Sequence, residues 1–329
     1  MEEMFKYFET PDVDYPAFKA MVAERFENPI LVRICTAFGN NMQQIEAGGG
    51  PRLEMQAMVA KGILSLMVNL GRIGVAKEFL AGCIEKWDQK RFLEAHTMLM
   101  LPGEEIAQLD VLDKPWLDYQ VIDRKAKTTM ILFCGHAHRF GVELNAVALW
   151  LRSLPVNLIY LRDFNLRLYL AGLESIGNID ESITRLKKDL TALGTERIVT
   201  MGNSGGVHGA LHYGYLLEAD QVLCFAGPTS LKAGVEEASE RPIYEIIDQM
   251  VQSGELKAPD LRECFQRSGI SVRYFYGQDY EFDAAQVATL EGLPNVTIEP
   301  LSEWSRHVVI GEMARRDLLK DILAKAATG

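Results

Sequence analysis

Two regimes of hydrophobic patterning divide the 329-residue chain. Up to about residue 115, apolar positions recur at three- and four-residue steps: Ala57, Ala60, Leu64 and Met67, then Ala76, Leu80, Cys83 and Trp87, with "NLGRIG" as the turn between the two runs. That spacing predicts a helical N-terminal domain over residues 1–115, including one αα-hairpin. No second copy follows at a fixed period, so a repeat array is not indicated.

Past Pro115 the period changes. Short runs of consecutive apolar residues, "TMILFCG", "VNLIYLRD", "RIVTMGN", "QVLCFAG", "SVRYFYG" and "VTIEPLS", alternate with helical stretches such as "NAVALWLRSL" and "ITRLKKDLTALG". Strands without polar alternation must be buried on both faces, and strands separated by helices pair in parallel. The expected fold class of residues 116–329 is therefore α/β, a mainly parallel sheet covered by helices on both faces. A longer polar insertion, residues 231–268, carries Ile243, Ile247 and Met250 at helical spacing and reads either as a helical cap over a site or as an ordinary sheet-covering helix.

Composition narrows the partners. Hydrophobic residues make up 48% of the chain, enough to offset the entropy of ordering it. The formal charge of −11 repels phosphate backbones and anionic headgroups, and no basic run counters it, so a nucleic-acid partner is not expected. No stretch approaches the roughly 20 apolar residues of a membrane span, and "MEEMFKYFET" lacks a signal-peptide core. Cys35, Cys83, Cys134, Cys224 and Cys264 form neither a metal-ligand pattern nor a disulfide framework. A cytoplasmic protein with reduced thiols is the expectation.

The candidate chemistry begins at "GNSGG", residues 202–206. The pattern Gly-x-Ser-x-Gly places a serine on a tight turn from strand to helix, and here it lies between a strand, "RIVTM", and a helix, "VHGALHYGYLL". A serine hydroxyl is a weak nucleophile, so Ser204 needs a histidine to take its proton and a carboxylate to orient that histidine. "QDYEFD" puts Asp279 and Asp283 after a late strand, and "LSEWSRHVV" puts His307 after the next one. Asp279 is the preferred acid because it lies nearest the strand end. Asp283 is the alternative acid, or it caps the helix "AAQVATL".

Residues 118–329 resemble an α/β-hydrolase of the serine type, through "GNSGG", "YGQDYEFD", and "SRH" before a terminal amphipathic helix. "ILFCGHAHRFG" stands where that family has a strand ending in His-Gly-x, with Cys134 in place of the histidine. The resemblance implies that the backbone N–H groups of His136 and Gly205 form an oxyanion hole. The acid loop Gly277-Gln278-Asp279 is one residue shorter than the family's frequent form.

His136 and His138 also form a His-x-His pair, and His208 and His212 share a helix face, but four ligands at successive strand ends are not apparent, so no metal is expected. Arg139, Arg162 and Arg167 lie near the rim of such a sheet, either for an anionic substrate group or to pair with Asp163, Glu143 or Glu174. The sequence thus points to a hydrolase cleaving an ester, thioester or amide of a small or medium-sized substrate through an acyl-enzyme on Ser204, without a cofactor. An acyltransferase on the same fold, or a non-catalytic scaffold, are the alternatives, and residues 1–115 offer a surface for a protein partner or self-association.

Overall fold

The structure, a computed structural model, describes residues 14–25, 77, 80–81, 114, 117–142, 144–233 and 241–329. Apart from Leu80, the residues that define the N-terminal αα-hairpin lie outside that set. The chain separates into two compact units, Met1–Gln108 and Leu109–Gly329. In the first, helix α1 (Tyr15–Arg25) starts where the Asp14 carboxylate accepts the Ala17 N–H at 3.0 Å.

The second unit is built on a seven-stranded sheet in the order β1-β3-β2-β4-β5-β6-β7. The strands are β1 (Tyr119–Ile122), β2 (Thr128–Phe133), β3 (Val156–Leu161), β4 (Arg197–Asn203), β5 (Gln221–Phe225), β6 (Ser271–Gly277) and β7 (Val296–Leu301). Only β1 is antiparallel, against β3; all other pairs are parallel. Every residue of β2 and β3 is buried, which explains why "TTMILF" and "VNLIYL" show no polar alternation. The sequence reading omitted β1, whose four residues alternate half-buried and buried. It also read β7 as a buried strand, whereas β7 is an edge, mostly half-exposed, and carries Pro300, which a central strand would not tolerate.

Helices connect the parallel strands, α2 (Leu144–Trp150), α3 (Ile179–Ala192), α4 (Gly206–Leu216), α5 (Arg241–Gln252), α6 (Leu261–Gln266) and α7 (Glu281–Ala288), and two more, α8 (Ile310–Arg315) and α9 (Leu319–Thr328), follow β7. Helix α3 shows how sequence sets a boundary: Asn178 accepts the Glu181 N–H while the Glu181 carboxylate accepts the Asn178 N–H, a reciprocal cap that satisfies two orphan donors. The insertion contributes α5 and α6. Tyr244 and Ile247 of α5 are buried against Leu168, Leu170, Leu256 and Phe282, which fixes α5 over that side of the unit.

Topology alone locates a site. The chain runs from β2 outward to β3, then returns across β2 to β4 and continues in the opposite direction. The segments leaving β2 and β4 therefore diverge at adjacent strand ends, and a crevice opens between them.

Candidate active site

Ser204 sits at that crevice, immediately after β4, with a backbone φ of 52°. A left-handed φ is unfavourable for serine, and the surroundings hold it there. The Ser204 N–H donates to the Ala226 carbonyl at 2.8 Å, and its own carbonyl accepts the Val207 N–H at 2.9 Å. The turn can close only because its flanks lack side chains. A Cβ at Gly206 would stand 2.0 Å from the Phe133 carbonyl oxygen, and one at Gly202 would stand 2.4 Å from the Gly206 carbonyl oxygen. The Gly-x-Ser-x-Gly pattern is thus a steric requirement of β4 and α4 packing beside β2.

His307 arrives on the segment after β7, and its Nε2 lies 2.8 Å from Ser204 Oγ. Its Nδ1 lies 2.9 and 3.1 Å from the two carboxylate oxygens of Asp283. The preferred acid of the sequence reading, Asp279, is not the residue that meets the histidine. The Tyr280 N–H closes a tight turn onto the Gly277 carbonyl, leaving Gln278 and Asp279 exposed at its apex. Helix α7 begins at Glu281, three residues before "AAQVATL", so Asp283 sits inside its first turn and faces inward, 0% exposed. Asp283 is not the N-cap; Tyr280 holds that position.

The segment after β2 lies on the other side of Ser204. A Cβ on Gly135 would be 2.9 Å from Ser204 Cβ, so the Gly135–His136 peptide passes beside the nucleophile. The Gly135 N–H donates to the Arg139 carbonyl and the His138 N–H to the Gly135 carbonyl, which tightens residues 135–139 into a compact turn with His138 left-handed at φ 55°. Gly205 occupies the N-cap of α4, where the helix N-terminus adds a favourable field for a negative charge. A Cβ there would be 2.6 Å from His136 Cδ2 and Nε2, so the imidazole of His136 rests directly on Gly205.

Two buried residues, Arg162 and Tyr169, support this turn. Arg162, 1% exposed, donates from Nε to the His138 carbonyl at 3.0 Å and from Nη1 to the Leu117 carbonyl at 3.0 Å. Tyr169 holds its hydroxyl 2.9 Å from the carbonyls of both Cys134 and Leu161, fixing the exits of β2 and β3. The segment carrying Tyr169 has three left-handed non-glycine residues, Leu166, Leu168 and Tyr169, gathered around the Asp163 carboxylate, which accepts the Tyr169 N–H at 2.8 Å.

The remaining histidines lie apart from the proton path. His138 packs edge-on against Phe164, and burial, then the Arg162 charge, lowers its pKa. His208 and His212 are buried on α4; burial holds them neutral, with pKa values of about 3 and about 4. Among the described residues, no three His, Cys, Asp or Glu side chains converge to hold a metal. None of the described helices is long and apolar enough to cross a membrane.

A mainly parallel sheet whose fourth strand delivers a serine elbow, with acid and histidine after the sixth and seventh strands, decides the architecture. The fold is that of the α/β-hydrolases. No family model and no curated protein matches the sequence. Among solved structures the chain is similar to an esterase of Pyrococcus furiosus, with 13% identity over 63% of this chain and 83% of that one, TM-score 0.44. It is also similar to an acylaminoacyl peptidase of Pyrococcus horikoshii, with 13% identity over 64% of this chain and 39% of that one, TM-score 0.47. MenH from S. aureus aligns at 12% identity over 64% and 99% of the two chains, TM-score 0.44.

Proposed function

We propose that the protein is a serine hydrolase that cleaves a carboxylic ester, thioester or amide through an acyl-enzyme on Ser204. The observation that carries this reading is the single imidazole of His307, hydrogen-bonded at one nitrogen to Ser204 Oγ and at the other to both oxygens of a fully buried carboxylate. Asp283 accepts a hydrogen bond from the Nδ1–H, which leaves Nε2 with its lone pair directed at the serine hydroxyl. His307 takes the Ser204 proton as Oγ attacks the carbonyl carbon, then returns it to the leaving group as the tetrahedral intermediate collapses. Water, deprotonated by the same nitrogen, releases the acyl group. The N–H groups of His136 and Gly205 stabilise the oxyanion, and two such preorganised donors contribute several kcal/mol to lowering the barrier.

The test is labelling of the full chain with a fluorophosphonate, which reacts rapidly only with a base-activated serine. Wild type is expected to be labelled and Ser204→Ala not. Absence of label on folded wild type refutes the reading.

A further inference from the structure

This inference rests on the serine-hydrolase reading and concerns what the site accepts. Four aromatic rings form a chain of contacts from the oxyanion side of Ser204 round to its base. His136 and Tyr244 have centroids 6.3 Å apart, Tyr244 and Phe282 5.7 Å, and Phe282 and His307 6.1 Å. Tyr280 backs the last pair, 5.7 Å from His307 and 6.4 Å from Phe282. A methylene chain lying between two rings needs about 4 Å to each, or roughly 8 Å between them. None of these gaps provides it.

Behind the rings lies the apolar cluster under α5, formed by Leu168, Leu170, Ile247 and Leu256, all buried. Its members, Tyr244 among them, are apolar or aromatic. The leaving group must depart beside His307 Nε2, next to the exposed Val308, so the acyl group is left on the side of His136 and Tyr244. There it meets Tyr244, which is 3% exposed, neighbours the His136 ring and is itself a member of the cluster.

We infer that Tyr244 is a specificity-determining residue that restricts the enzyme to short, uncharged acyl groups by filling with its ring the apolar volume a longer acyl chain would need under α5. Removing the ring gives that volume to the acyl side of the site, and each methylene then buried is worth roughly a fourfold gain in kcat/KM. Because the newly opened lining is apolar, the gain goes to aliphatic chains and not to charged acyl groups.

The experiment compares kcat/KM for p-nitrophenyl acetate, butyrate and octanoate with wild type, Tyr244→Ala and Tyr244→Leu, the last retaining packing should the alanine variant not fold. Wild type is expected to favour butyrate over octanoate by tenfold or more, and a folded variant to shift that ratio at least tenfold toward octanoate. Equal use of octanoate and butyrate by wild type, or an unmoved ratio in a folded variant, overturns the inference. Fluorophosphonate labelling separates the two levels. Wild type that is labelled but shows no short-chain preference, or no turnover of these esters, refutes only the role of Tyr244, whereas wild type that is not labelled refutes the hydrolase reading and this inference with it.

Discussion

Replacing Asp283 with Asn tests the assignment of the acid at nearly constant volume. In the structure both carboxylate oxygens lie within 3.1 Å of His307 Nδ1, and the side chain is sealed from solvent. An amide can present its N–H₂ to Nδ1, which then becomes the acceptor and moves the ring proton to Nε2. That proton faces Ser204 Oγ at 2.8 Å, where a lone pair is needed. The base is lost without a change in shape. The expected loss in kcat is about 10³- to 10⁴-fold, equivalent to about 4–5.5 kcal/mol of transition-state stabilisation. Asp279→Asn changes only an exposed turn residue, so its kcat should stay within about twofold of wild type. Turnover of a p-nitrophenyl ester, with thermal unfolding as the control for folding, measures both. A hundredfold loss in Asp279→Asn alongside an active Asp283→Asn would refute the reasoning.

Three further outcomes follow from the packing and the charges. Gly206→Ala drives a Cβ to within 2.0 Å of the Phe133 carbonyl, a backbone atom that cannot swing aside, so urea unfolding should show destabilisation of about 3 kcal/mol. Gly205→Ala meets only the His136 imidazole, which can rotate, so the unfolding midpoint should hardly move while kcat falls about tenfold as the ring on the oxyanion side is displaced; an unchanged kcat would count against that geometry. His208 and His212 remain neutral in the folded unit down to about pH 3 and about pH 4, chiefly through burial, whereas in the unfolded chain they protonate near pH 6.5. Below that pH the unfolded state therefore binds protons that the folded state refuses, and stability should fall by about 2 kcal/mol per histidine between pH 6.5 and 5. A urea midpoint that is flat over this range contradicts it.

What could be read from the chain depended on whether the determinant was local. Ser204 was visible because the glycines around it answer to contacts made within a strand, a turn and a helix that are consecutive in sequence. His307 was visible because the segment after the last strand ends beside the elbow in any sheet ordered this way. The choice between Asp279 and Asp283 turned on where a turn ended and α7 began, a shift of a few residues that rotates one carboxylate out and the other in. Apolar periodicity does not register such a shift. Arg162 and the wall of Tyr244 and Phe282 depend on residues far apart in sequence meeting in space, and no spacing signal announces such meetings. The short edge strand β1 escaped notice because four residues of alternating burial resemble many loops.

The serine elbow and the aromatic wall are fastened to different parts of the molecule. The elbow is locked by main-chain contacts, so a side chain added at Gly202 or Gly206 collides with the backbone of α4 or β2. Tyr244 hangs from a helix contributed by the insertion and packs on exchangeable apolar side chains such as Leu168 and Leu170. Reactivity and selectivity can therefore drift separately. A lineage or a designer could rewrite residues of α5 to admit new acyl groups while the bond-breaking apparatus stayed as it is, and diversity in what is cleaved would accumulate on α5 long before it touched how cleavage is done.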